Sequence, residues 1–159
     1  PYFIASGGFS SVWRIEDKLV KKTLMIKSKG AIQEFVQEAT LIRSFDHPNI
    51  VRYVSFDQLT LELILEFCGQ SLYDIVTNSI DGLGDSCFRD QCVSQLISAL
   101  VYLHNLEIAH MDLKLENLCI RENVLKIIDF GLAVKKPMGK RGSYSYAAPE
   151  VLKAEYTNI

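Results

Sequence analysis

Asp112, Lys114 and Asn117 fall within six residues of one another, and Asp129-Phe130-Gly131 follows a β-like stretch that ends at Ile128. Two carboxylates and an amide at loop and strand ends are hard oxygen donors of the kind that hold a divalent cation. Lys114 adds a point charge beside them. Phosphoryl transfer asks for this combination: a group that orients a hydroxyl nucleophile, oxygen ligands for a metal, and cations on the phosphoryl oxygens. A polar surface loop beside a β-turn would account for any one of these residues alone. It accounts poorly for the set at this spacing.

These side chains need a scaffold, and the chain changes character midway. Tyr2 to Ile4, Val12 to Ile15, Leu19 to Met25, Val51 to Phe56 and Leu59 to Phe67 read as strands, with Ala5-Ser6-Gly7-Gly8 a small-residue stretch between the first two. In the third strand, alternation puts Val20, Lys22 and Leu24 on one face and Lys21 and Thr23 on the other. Ile32, Phe35, Val36, Ala39 and Ile42 make a helical stripe over residues 30–44. Beyond Gly69 the pattern turns helical: a short helix with Leu72, Ile75 and Val76, a loop from Asn78 to Asp85, then a long helix. That long helix carries Val93, Leu96, Ile97, Leu100, Val101 and His104 on one stripe. Leu118 to Ile120 and Val124 to Ile128 are short strands around a turn at Arg121-Glu122-Asn123.

Composition bounds the rest. The 159 residues carry 17 Lys and Arg against 19 Asp and Glu, a net charge of −2, with 48% apolar and 23% charged residues. This excludes a disordered tail, a fibre and a strongly basic nucleic-acid binder. No apolar run approaches the ~18 residues of a spanning helix, and no membrane partner is evident. Cys68, Cys87, Cys92 and Cys119 form no CxxC pair, which points to a reducing, intracellular compartment, cytoplasmic in the first instance. The chain starts at Pro1 on a strand, so it is expected to be a piece of something longer.

In order and spacing, His110-Met111-Asp112-Leu113-Lys114-Leu115-Glu116-Asn117, Asp129-Phe130-Gly131 and Ala148-Pro149-Glu150 resemble the catalytic loop, magnesium loop and activation-segment end of eukaryotic protein kinases. His47-Pro48-Asn49-Ile50-Val51 is similar to the link after that family's regulatory helix. The resemblance covers nearly the whole chain. It implies an α+β, two-lobe fold: an N-lobe over residues 1–67, with five strands and one regulatory helix, and a partial helical C-lobe over residues 68–159. It also implies ATP and Mg²⁺ as cofactors, bound in a cleft between lobes, and a protein substrate with a Ser or Thr acceptor.

The same resemblance distributes roles. Asp112 is the expected catalytic base, Asn117 and Asp129 the metal ligands, and Lys114 the lysine that serine/threonine kinases place beside the transferring phosphate. Lys22 is preferred over Lys21 as the N-lobe lysine, because it shares a face with Val20 and Leu24. Glu38, on the apolar stripe between Phe35 and Ile42, is its expected partner. The glycine-rich loop reads Ala5-Ser6-Gly7-Gly8-Phe9-Ser10-Ser11-Val12, in which only Gly7 keeps a motif glycine, so looser nucleotide binding is expected. Val12, Val20, Leu65 and Cys119 would enclose adenine, with backbone contacts from Glu66 and Cys68. Ser143 would position substrate.

Some departures carry expectations of their own. Met111 stands where the family has the arginine that meets a phosphorylated activation loop, and residues 131–142 contain no Ser, Thr or Tyr. Activity independent of activation-loop phosphorylation is expected. Lys114, Ser143 and the Leu-Glu-Asn ending are closest to the calmodulin-dependent and AMP-activated branch. The chain stops at Ile159, short of the helices that complete the family's C-lobe, so its length reads as a truncation. Ala5, Ser10 and Met111 keep a non-catalytic scaffold open as a second reading, with an inactive kinase fragment beside it.

Overall fold

The computed structural model describes residues 1–6, 9–79 and 84–135. The chain divides into two compact units. One comprises Pro1–Asp46 and Ile50–Cys68; the other comprises His47–Asn49 and the chain from Gly69 onward. The first unit therefore runs one residue past Phe67, and it lends three residues of its middle to the second.

The first unit is α+β. Strands β1 (Tyr2–Ser6), β2 (Ser10–Glu16), β3 (Leu19–Leu24), β4 (Tyr53–Asp57) and β5 (Glu62–Glu66) form an antiparallel sheet in the order β1-β2-β3-β5-β4. Helix α1 (Lys29–Arg43) starts at Ser28, whose hydroxyl accepts the Ala31 amide at 3.2 Å. It buries Ala31, Phe35, Ala39 and Ile42, and Phe35 meets Phe56 of β4 edge-on at 5.9 Å. Val20, Leu24, Leu63 and Leu65 supply the sheet's share of this core.

Local chemistry shifts several boundaries. β1 continues through Ala5 and Ser6, which pair with Val12 and Ser11 rather than forming part of a loop. β5 begins at Glu62, not Leu59, because the Asp57 carboxylate accepts the amides of Leu59 and Thr60 and closes a turn there. Leu61 leaves that turn with φ 58. Val51 is buried but lies outside β4.

The second unit holds the two-residue strand β6 (Gln70–Ser71), helices α2 (Leu72–Asn78) and α3 (Ser86–Asn105), and strand β7 (Ile108–Ala109). A single 3-10 turn (Leu115–Asn117) precedes β8 (Leu118–Arg121) and β9 (Val124–Ile127), and β10 (Val134–Lys135) pairs antiparallel with β7. β6, β8 and β9 form one small sheet. Ser71 caps α2 and Asp85 caps α3.

On the long helix the stripe read from the sequence is not the buried one. The helix buries Cys92, Ala99 and Leu103, while Val93, Ile97 and Val101 are 54%, 55% and 53% exposed and His104 is exposed. Leu96 and Leu100 lie half-buried at the border. Two apolar stripes compete on this helix, and the one with the small residues Cys92 and Ala99 is turned inward, where α3 packs on β7 and β9.

Gly69 opens the second unit with φ +90, and a Cβ built there would lie 2.1 Å from the Ile120 carbonyl oxygen of β8. Backbone cannot move aside as a side-chain tip can. Gly69→Ala should therefore lower unfolding stability by at least ~1–3 kcal/mol, read as a drop in the urea midpoint. An unchanged midpoint would contradict this close approach.

Candidate active site

In the first unit, register decides between the two lysines. Lys22 lies opposite Val12 on β2 and Leu63 on β5, on the face that α1 covers. Its Nζ lies 2.7 Å from Oε1 of Glu38, with the two side chains only 12% and 3% exposed. Lys21 points the other way and meets Glu62 at 2.8 Å in a more exposed pair. A surface pair of that kind contributes little, whereas stripping one partner from a buried pair leaves an uncompensated charge.

Three of the expected adenine-lining residues, Val12, Val20 and Leu65, fall on the same sheet, whereas Cys119 lies on β8 in the second unit. Val20 and Leu65 are buried and directly opposite each other, and Val12 is half-buried one row away. Glu66 turns its carboxylate to the Arg52 amide at 2.7 Å, and its own amide donates to the Arg52 carbonyl at 3.1 Å. The Glu66 carbonyl accepts from the Cys68 thiol at 3.7 Å. Phe9 is 56% exposed and its carbonyl accepts the Met25 amide at 2.8 Å; Ser10 pairs with Leu24. Gly7, Gly8 and Ser143 lie outside the described residues.

In the second unit, the loop after β7 folds around Asp112. Its Oδ2 receives Lys114 Nζ at 2.9 Å and Asn117 Nδ2 at 3.1 Å, and Asn117 Nδ2 also donates to the Asp112 carbonyl at 2.9 Å. The Asp112 hydrogen bond raises the Lys114 pKa, and the Asp112, Glu116 and Asp129 charges add to it, so the amine stays cationic. Asn117 is buried with its amide nitrogen on Asp112, which leaves the oxygen as the end it can offer a cation. Asp129 is exposed at the exit of β9 with φ 59, and Met111 holds φ 65. Two non-glycine residues in the left-handed region, either side of the loop, mark backbone whose shape is imposed by its surroundings.

One organiser was named in the sequence motif without a role. His110 is buried, its Nε2 bonds the Ile128 carbonyl at 2.9 Å, and its Nδ1 accepts the Asp112 amide at 3.3 Å. That pattern assigns a neutral ring with the proton on Nε2. Phe130, 1% exposed, meets the ring edge-on at 4.8 Å. His110 thus ties the backbone at Asp112 to the residue before Asp129. Only its place two residues before an Asp hinted at this. Cys119, buried on β8, has its thiol pushed up to about 12 by burial and by the Asp74 charge, so it packs as an inert apolar group.

One carboxylate, Asp129, and the Asn117 amide oxygen fit magnesium, which keeps water and phosphate oxygens in its shell rather than demanding an all-protein cage. Among the described residues, no group of three or more His, Cys, Asp or Glu is gathered as a self-sufficient metal site.

Comparison with known proteins adds an independent line. A family model described as the protein kinase domain matches residues 3–159. Calcium-dependent protein kinase 3 of Plasmodium yoelii yoelii is 31% identical over 96% of this chain and 31% of its own length. Serine/threonine-protein kinase polo of Drosophila melanogaster is 34% identical over 94% of the chain and 29% of its own length. Sperm motility kinase 2B of Mus musculus is 33% identical, over 94% and 33% respectively. The chain thus spans about a third of each relative. Their names differ while their identities are alike, so this similarity identifies a family and not a branch.

Two measurements follow from the geometry. Lys22→Met should destabilise the first unit by roughly 3–5 kcal/mol, and Lys22→Met with Glu38→Gln by much less, because the double change removes the buried charge. A double-mutant loss equal to the sum of the two single losses would mean the pair is not coupled. For pH, burial lowers the His110 pKa against the opposing pull of the Ile128 carbonyl and of Asp129 and Asp112; burial and then Lys126 lower that of His47. As pH falls, the unfolded chain binds these protons first. Their stabilisation is therefore complete above ~6.5 and is lost progressively below it. The urea midpoint should fall between pH ~7.5 and ~5.5, less so in His110→Gln; a flat profile would exclude a buried neutral His110.

Proposed function

The chain belongs to the protein kinase family, and from that premise we propose that it is the catalytic part of an ATP- and magnesium-dependent protein serine/threonine kinase. The observation that carries this reading is the Asp112 carboxylate gripped by both Lys114 and Asn117. A carboxylate held in this way keeps one orientation toward an incoming hydroxyl, which is what a base for phosphoryl transfer needs.

Asp112 would orient the substrate Ser or Thr hydroxyl and accept its proton. Lys114 would lie against the transferring phosphoryl oxygens and offset their charge. Asn117 and Asp129 would hold magnesium, and Lys22, fixed by Glu38, would contact the nucleotide phosphates. Magnesium and ATP supply the phosphoryl group and its charge neutralisation. Val12, Val20, Leu65 and Cys119 are apolar surfaces suited to a purine, with Glu66 and Cys68 offering backbone polar groups. Lys114 also favours a protein Ser/Thr acceptor.

A non-catalytic scaffold is the second reading, favoured by Ala5 and Ser10 at glycine positions and by Met111. A magnesium-dependent thermal shift with ATP separates the two, followed by transfer of labelled phosphate to a protein mixture. Asp112→Asn should keep the shift and lose transfer by ~10²–10⁴-fold. Asp129→Asn should lose the magnesium dependence. Full activity in Asp112→Asn would remove the base assignment, and no shift in the unmodified protein would favour the scaffold.

A further inference from the structure

Among the described residues, β9 has a ladder partner, β8, on one side only. Its other side is buried, since Leu125 and Ile127 are 1% and 0% exposed, so its amides and carbonyls there need partners. They find them in two side chains and one peptide group. The Leu125 amide donates to Gln95 Oε1 at 2.8 Å, and the Leu125 carbonyl accepts from Asn49 Nδ2 at 2.8 Å. The Ile127 amide donates to the Asn49 carbonyl at 2.9 Å. Together, Gln95 of α3 and Asn49 act as a third strand.

Gln95 is the centre of this arrangement. Its Oε1 takes a second bond from Asn49 Nδ2 at 2.7 Å, and its Nε2 donates to the Asn123 carbonyl in the β8–β9 turn at 3.0 Å. Both oxygen lone pairs are used, as are both hydrogens on Asn49 Nδ2. Flipping the Gln95 amide would set its hydrogens against two donors, so the orientation is determined. A glutamate could accept both bonds but could not donate to Asn123. A leucine could do neither.

The strand held this way leads through Ile128, whose carbonyl bonds His110, into Asp129. We propose that Gln95 is a positioning residue for Asp129, acting through the register of β9. The proposal rests on the reading of Asp129 as a metal ligand. The bonds themselves are local to the second unit.

The test compares Gln95→Leu and Gln95→Glu with the unmodified protein by amide hydrogen exchange and by the magnesium concentration that half-saturates nucleotide binding. Gln95→Leu should speed exchange over residues 124–129 selectively, and raise the half-saturating magnesium roughly tenfold. Nucleotide affinity at saturating magnesium should hold. Gln95→Glu, which keeps both acceptor bonds, should fall between. Unchanged exchange at Leu125 and Ile127, or faster exchange with unaltered magnesium dependence, would overturn the proposal. So would a uniform rise in exchange across the second unit, the mark of a merely structural residue. If the unmodified protein showed no magnesium-dependent nucleotide binding, the proposed function would fail instead. Selective exchange ending before Asp129 would then still overturn the positioning role.

Discussion

The second unit's site depends on the bond from His110 Nε2 to the Ile128 carbonyl. A neutral imidazole in a dry setting can donate once and accept once, and His110 does both, toward Ile128 and toward the Asp112 amide. Asp112 follows helix α3 and strand β7, whereas Asp129 follows the β8–β9 hairpin. Their backbones share one ring as a common reference. Phe130 closes over that ring, so the residue after the metal-ligand candidate is buried while Asp129 itself faces outward. The left-handed backbone at Met111 and Asp129 is sustained by these contacts.

The first unit applies the same rule with charge. Glu38 sits where an apolar residue would pack, on the buried stripe of α1, and it is tolerable there because Lys22 reaches it from the sheet. The pair couples helix position to strand register: a one-residue slip of β3 would turn Lys21 inward and Lys22 out. The Lys21–Glu62 pair on the other face is consistent with this register and contributes less to it.

Much of this was legible because it is local. Alternation in β3 is a period of two, so Val20, Lys22 and Leu24 had to share a face. Glu38 lies three and four residues from Phe35 and Ile42, so it had to lie on the helical stripe. The α3 face was not legible, because Val93, Ile97 and Val101 repeat as well as Cys92, Ala99 and Leu103 do. The choice between them is made by what packs on the helix. Likewise the start of β5 was misplaced, since apolar alternation runs on through Leu59 and Leu61 while the Asp57 carboxylate closes a turn across them.

The sequence by itself determined which side chains could do chemistry and which face of each strand they share, because covalent spacing and backbone periodicity decide both. The order of periods along the chain separated a β-rich part from a helical part, and the family resemblance implied the fold class. Tertiary structure alone decided how polar atoms distant in sequence meet. It set Asn49, Gln95 and Leu125 in one network, closed His110 on Ile128, and chose the inward stripe of α3. The physical reason is that a buried donor or acceptor must find a partner, and which partner is within about 3 Å is a property of the packed chain and not of its spacing.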